Sequence, residues 1–349
     1  MTGHLFPFLD YWWFYAVFTG LVVAFLALDL GFFHRKAHGI GFREASAWTA
    51  IWAALALLFC LALYKYAVWN FGATTGKQIG VEFLTGYVVE WSLSLDNMFV
   101  FVLVFRYFGT PARLQHRILF YGILGALIFR GVFVVLGGEL LQFGWIVILF
   151  GVFLILTGIR MMFSAERQIR PEQSLIVRGV RRLLPVATDS EGTNFFLRRN
   201  GKLYATPILL VAAFIEATDI LFAVDSVPAI FAITPEPLVV YTSNVFAILG
   251  LRSIYFLLAL ARFRLLRYGL ALILIFVGLK MSWLNAAWQG HFPNTISLAL
   301  IVGVLIASIG LSLVFPVPAR RKACRLAVRS DREPTSYGTK PTAFHQRPS

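Results

Sequence analysis

Polar residues interrupt this chain at long intervals, leaving nine apolar runs near Tyr11 to Phe32, Ala45 to Tyr66, Gly80 to Val104, Ile118 to Leu136, Phe143 to Phe163, Thr206 to Ile230, Leu238 to Leu260, Tyr268 to Leu284 and Ile296 to Phe315. About 20 residues at about 1.5 Å each cross the hydrocarbon of a bilayer, so each run predicts a membrane-spanning helix. The expected fold class is all-α: a polytopic membrane protein of nine transmembrane helices.

The joins between runs carry the second pattern. Arg35, Lys36 and Arg43 follow the first run; Arg106, Arg113 and Arg117 follow the third; eight Lys and Arg lie between Arg167 and Lys202; Arg262, Arg264 and Arg267 follow the seventh. The alternate joins hold little beyond Lys65 and Lys77. Basic joins stay on the cytoplasmic side, which predicts an outer N-terminus and a cytoplasmic C-terminus. Within the large join from Ser164 to Ala205, Glu172 to Leu184 suits a basic amphipathic helix at the membrane surface. The stretch FFLRRNGKLYAT from Phe195 suits a β-hairpin turning at Asn200 and Gly201. From Val317 the composition predicts a disordered basic tail.

Charge inside the runs is the exception that matters. Glu90 and Asp96 lie in VEWSLSLDN, and Glu216, Asp219 and Asp225 lie in EATDILFAVDSVPAIF. Each acid at the centre of a membrane helix costs about 2.5 to 3.5 kcal/mol unless compensated, so all five together exceed about 12 kcal/mol. The two stretches also align with each other. Glu90 falls on Asp219, Asp96 on Asp225 and Asn97 on Ser226; further along, Arg130 falls on Arg252, and GIRM at Gly158 falls on GLKM at Gly278. Spans three to five thus repeat as spans six to eight, and an odd number of helices inserts the copies from opposite sides. Inverted repeats of this kind place a substrate site near the midplane. The expected organisation is residues 1–79 with two peripheral helices, 80–163 as the first repeat, 164–205 as the cytoplasmic loop, 206–285 as the second repeat, 286–316 as the last helix and 317–349 as the tail.

Six residues advance a helix by about 9 Å and 600°, so one ion joins Glu90 to Asp96 only if the backbone between them unwinds. The alternative is a ladder of acids shared by the two copies. Arg130 and Arg252 are the expected counter-ions, and five carboxylates against two guanidiniums leave a charge that a divalent cation plus a proton would balance. The available donors are oxygens from Glu90, Asp96, Asn97, Glu216, Asp219, Asp225, Ser226 and Asn244. Such a set suits Mn²⁺, Mg²⁺ or Ca²⁺ over Cu⁺ or Zn²⁺. Met98 offers a soft contact, but methionine in a membrane helix is more often packing. Arg160 and Lys280 sit at helix ends, where they can snorkel.

Composition agrees: 59% of residues are hydrophobic and 14% charged, against about a quarter charged in soluble domains. The net charge of +14 lies in joins and tail, as lipid-facing topology signals do, and does not argue for nucleic acid. Two cysteines support neither a disulfide framework nor a CxxC metal site, and no basic flank of a signal peptide precedes Asp10. GATTGK at Gly72 is one residue short of a phosphate loop, and there is no GxGD or HExxH. The residues point to transport rather than catalysis, with no resident cofactor.

VEWSLSLDN, FAVDSVPAIFAIT, SNVFAILGLRS and RRNGKLYATP resemble the TerC family of integral membrane proteins, over about Val81 to Met281. The resemblance implies a bacterial inner-membrane protein linked to tellurite resistance and, in better-understood members, to Mn²⁺ efflux, beside transporters of the LysE type. It also implies transport-essential roles for Glu90, Asp96, Glu216, Asp219 and Asp225. The expected function is secondary export of a divalent metal, Mn²⁺ first, with protons as the counter-ion. The alternative is an assembly or tellurite-stress accessory factor that docks partners through its cytoplasmic loop.

Overall fold

A computed structural model describes residues 5–32, 42–163, 178–179, 182, 185–186, 195–199, 202–260, 265–288 and 292–314. Residues 315–349, which include the expected tail from Val317, lie outside them, as does most of the expected amphipathic helix. The helices are α1 (Phe8–Phe32), α2 (Phe42–Phe71), α3 (Ala73–Tyr107), α4 (Ala112–Leu140) and α5 (Gly144–Phe163), then α6 (Pro207–Phe231), α7 (Pro237–Leu260), α8 (Leu266–Leu279) and α9 (Asn294–Val314). Helix α8 continues through a π-turn at Lys280–Leu284 into a short α-turn at Asn285–Ala287. Helix is the form expected of such runs, because hydrocarbon offers no partner to an unpaired amide.

Among the described residues, eight of these helices are long and apolar enough to cross a membrane, against the nine expected. The protein is an all-α polytopic membrane protein. Strands β1 (Phe196–Arg199) and β2 (Lys202–Ala205) pair antiparallel between α5 and α6, with Phe196 opposite Ala205 and Arg199 opposite Lys202. Asn200 and Gly201, the expected turn, lie outside the described residues.

Helix α3 is 35 residues long, about ten more than the apolar run that predicts it. Its extra turns begin at Gly72, where φ of 89° reverses the chain in a single residue and folds α3 back along α2. GATTGK is therefore the turn between α2 and α3 together with the first turn of α3. Helix α7 is the centre of the bundle. It packs chiefly on α2, α3 and α4, and Leu238, Val239, Val240, Val245 and Ala247 are completely buried. Helices α1, α2, α5 and α9 carry exposed Leu9, Trp12, Leu58, Trp145, Leu156 and Ile306, the faces that lipid would cover.

Polar contacts tie each end of the bundle. At one end, Glu82 of α3 accepts from Gln78 (2.8 Å), Thr234 (2.5 Å) and Asn294 (3.1 Å), and the Lys280 Nζ donates to the Asn294 carbonyl oxygen (2.5 Å). Beside them the Glu236 carboxylate accepts the backbone amides of Leu5 (2.9 Å) and Phe6 (3.3 Å). Lys280 is 2% exposed and does not snorkel as expected, because an acid-rich network at its own depth replaces water as the partner. Arg160 is exposed, as a snorkelling residue would be. At the opposite end the Tyr255 hydroxyl donates to Gln115 (2.8 Å), Arg267 donates to the Met161 carbonyl (2.8 and 2.6 Å), and Arg117 lies 5.0 Å from the Phe195 ring.

Helices α5 and α8 cross at glycines, and the close approaches come in matched pairs. A Cβ on Gly151 would stand 2.9 Å from the Gly278 carbonyl oxygen, and a Cβ on Gly158 would stand 2.7 Å from that of Ala271. Gly278 meets the Ile155 amide at 3.0 Å, and Gly158 meets the Ile275 amide at 3.1 Å. Adding 120 to the α5 number of each contact gives the α8 number of its counterpart.

Candidate functional site

Both acid-bearing helices run unbroken. Ser94 donates to Glu90 within one turn of α3 (3.1 Å), and Ser92 donates to the Val88 carbonyl (2.6 Å), so no unwound segment separates Glu90 from Asp96. Pro228 lies inside α6 and removes the amide that would have bonded the Val224 carbonyl, yet the helix continues to Phe231. Among the two arrangements open at the sequence level, a shared set of acids is the one compatible with these helices.

Glu90 sits at the middle of the bundle with no exposed surface and forms an ion pair with Arg130 of α4, itself 1% exposed. The Arg130 Nη1 also donates to the Asn244 carbonyl oxygen of α7 (2.5 Å), and the Asn244 amide is anchored on the Val240 carbonyl (2.7 Å). Three helices therefore converge on one guanidinium. Asn244, expected among the oxygen donors, has its carbonyl turned to Arg130.

Asp219 on α6 is buried and lies within electrostatic reach of both Arg130 and Glu90, and Glu216 lies within reach of Asp219. Four buried polar atoms have no hydrogen-bond partner among the described residues: Glu90 Oε2, Arg130 Nε, Glu216 Oε1 and Ser226 Oγ. Such atoms cost about 1 to 3 kcal/mol each, more when charged, and two of the four belong to the Glu90–Arg130 pair itself. Next to it is a small cavity lined by Met98, Phe101, Gly122, Ile123, Ala126, Ile215, Ile248 and Leu251, with Asp219 as its charged residue. Met98 is thus a wall of that cavity.

The other expected residues fall as follows. Asn97 is buried on α3, and Asp225 is partly exposed six residues beyond Asp219. Asp96 and Arg252 belong to α3 and α7, but their side chains lie outside what is described. Among the described residues no three His, Cys, Asp or Glu side chains converge in a metal-binding group.

The sequence pattern did not single out Glu82 or Glu236, and it gave Lys280 only a snorkelling role. A signal was present: Glu82 and Lys280 are opposite charges inside apolar runs, each a few residues from the end that the basic joins leave free.

The model of the integral membrane protein TerC family matches residues 75–320. An uncharacterized membrane protein of Myxococcus xanthus, STKORF319, is 45% identical over 303 residues, covering 86% of this chain and 92% of the relative. A relative from Escherichia coli (strain K12), provisionally named membrane-bound redox modulator Alx, is 43% identical over 293 residues, 83% of this chain and 90% of its own. An uncharacterized membrane protein of Rickettsia felis is 37% identical over 305 residues, 85% and 96% of the two chains. No solved structure matches. The match over residues 75–320 and the relatives' near full-length identity lead to one conclusion: this chain belongs to the TerC family of integral membrane proteins.

Proposed function

We propose that this protein, a member of a transporter-like membrane family, is a secondary exporter of divalent metal cations, with Mn²⁺ the first to test. The observation that carries the reading is the charge at the centre of the bundle. Glu90 and Asp219 face Arg130 and Glu216 lies within reach of Asp219, a formal balance of minus two, and among the described residues a carboxylate oxygen of Glu90 and one of Glu216 have no protein partner. A hard divalent cation supplies that charge and prefers those oxygens. Asn244 acts by holding Arg130 in place.

The inverted repeat is part of the proposal. A two-fold exchanging α3, α4 and α5 with α6, α7 and α8 turns the α3–α7 packing into the α6–α4 packing, and both are extensive. The matched glycine crossings of α5 and α8 support the same axis. On the reading of nine spans with basic joins inside, the Glu82–Lys280 end faces outward from the bacterial inner membrane, and the Arg117 end faces the cytoplasm. The cation then enters beside Asp96, is held by Glu90, Asp219 and Glu216, and leaves past Asp225, with protons resetting the carboxylates.

The test is Mn²⁺ flux in proteoliposomes. Under an imposed pH gradient wild type should move Mn²⁺ in the direction opposite to proton flow, and Glu90→Gln and Asp219→Asn should each reduce the rate at least about tenfold, as expected for losing a charged ligand worth more than about 1.4 kcal/mol. Flux at wild-type level in both variants would end the proposal.

A further inference from the structure

Glu216 packs its carboxylate into a gap in α4 that only glycine leaves. The Glu216 carboxylate stands where a Cβ on Gly125 would be, so any side chain at 125 must displace it. One turn earlier, Gly122 is less tight: a Cβ there would meet Ile215 at 3.6 Å and the Glu216 Oε2 at 4.0 Å, ordinary contacts. Amides of α4 are spent within the helix, so the notch admits the carboxylate without offering it a donor, and Oε1 is buried with no partner among the described residues.

The two halves differ at both members of this pair. On the alignment that sets Glu90 against Asp219, Glu216 falls on Tyr87. On the one that sets Arg130 against Arg252, Gly125 falls on Ala247. Where the second half has an acid, the first has a phenol; where α4 has a glycine, α7 has a completely buried methyl. Acid and notch occur together or not at all.

We propose that Gly125 is a positioning residue for Glu216, and that this pair gives an otherwise two-fold site a third carboxylate on one side only. The proposal rests on the metal-export reading. Its direct consequence is that the Glu216 oxygen is held, uncompensated, beside Asp219 for the cation.

The test separates contact from function. Gly125→Ala should lower the thermal unfolding midpoint of the detergent-solubilised protein, and adding Glu216→Ala should restore it, whereas Gly122→Ala should leave it unchanged. In proteoliposomes Gly125→Ala should raise the KM for Mn²⁺ about tenfold, the scale of one misplaced charged ligand. Glu216→Asp, one methylene shorter, should recover most of that affinity in the Gly125→Ala background while weakening it in the wild type. If Glu216→Ala fails to restore the midpoint, or the Gly125→Ala protein keeps the wild-type KM, the proposal is overturned. A wild type that moves no Mn²⁺ overturns the export reading and the ligand role with it, while the unfolding midpoints still decide whether the notch exists.

Discussion

Arg130 and Glu90 form an ion pair from which water is excluded on both sides, their side chains being 1% and 0% exposed. Removing one partner of such a pair strands the other's charge, at a cost of about 3 to 5 kcal/mol, while replacing both is far milder. Arg130→Met should therefore lower the unfolding midpoint sharply, and Glu90→Gln with Arg130→Met should recover most of it. Thermal unfolding in detergent reads this out; a double variant no more stable than Arg130→Met would show that the pair is not what the bundle depends on.

The Glu236 carboxylate holds the amides of Leu5 and Phe6, and Phe6 is buried against Tyr11, Tyr66 and Phe71. Neutralising the acceptor as Glu236→Gln turns charged hydrogen bonds into ordinary ones, a loss of about 1 kcal/mol or roughly fivefold in opening. Amide hydrogen exchange at Leu5 and Phe6 should speed up by about that factor, with exchange in α4 unchanged. Equal rates in both proteins would mean that the carboxylate does not secure this segment.

Lys280, Asn294 and Glu82 join the π-turn after α8, the start of α9 and α3. Lys280→Met removes the positive member and leaves the acid with neutral donors only, which should destabilise by about 1 to 3 kcal/mol. Adding Glu82→Gln should return part of the loss. A midpoint that Lys280→Met does not move would mean that the buried ammonium contributes nothing net.

At the α5–α8 crossing, Gly151→Ala and Gly278→Ala should each destabilise by about 1 to 3 kcal/mol, since each methyl would press on backbone of the facing helix. Gly20→Ala and Gly303→Ala, with no neighbours near the added atom, should be neutral or gain up to about 1 kcal/mol. Four unfolding curves check the contrast; equal shifts in all four would refute the close approach.

The helices were legible because each must satisfy its own backbone in hydrocarbon, so hydropathy alone marks them out. That Glu90 and Asp219 need a charged neighbour was legible for the same reason, since an acid in an apolar run has a price, and both lie near Arg130. Partners were not. Glu82 meets Thr234 and Asn294 across 152 and 212 residues of sequence, and no local pattern encodes such a meeting. The notch at Gly125 was equally hidden, because a glycine among apolar residues looks the same whether it faces lipid or makes room for a carboxylate. The length of α3 exceeded its apolar run because Gly72 and the packing on α2, not hydropathy, decide where that helix starts.

Helix α7 carries Thr242, Ser243 and Asn244 in succession, all fully buried. A segment so polar is a poor candidate to partition into lipid unaided, and its main neighbours α2, α3 and α4 all precede it in the chain. Synthesis thus delivers the socket before the peg: the residue that orients Arg130 comes into place in a berth of protein assembled ahead of it, and biogenesis order becomes part of how the charged centre is built.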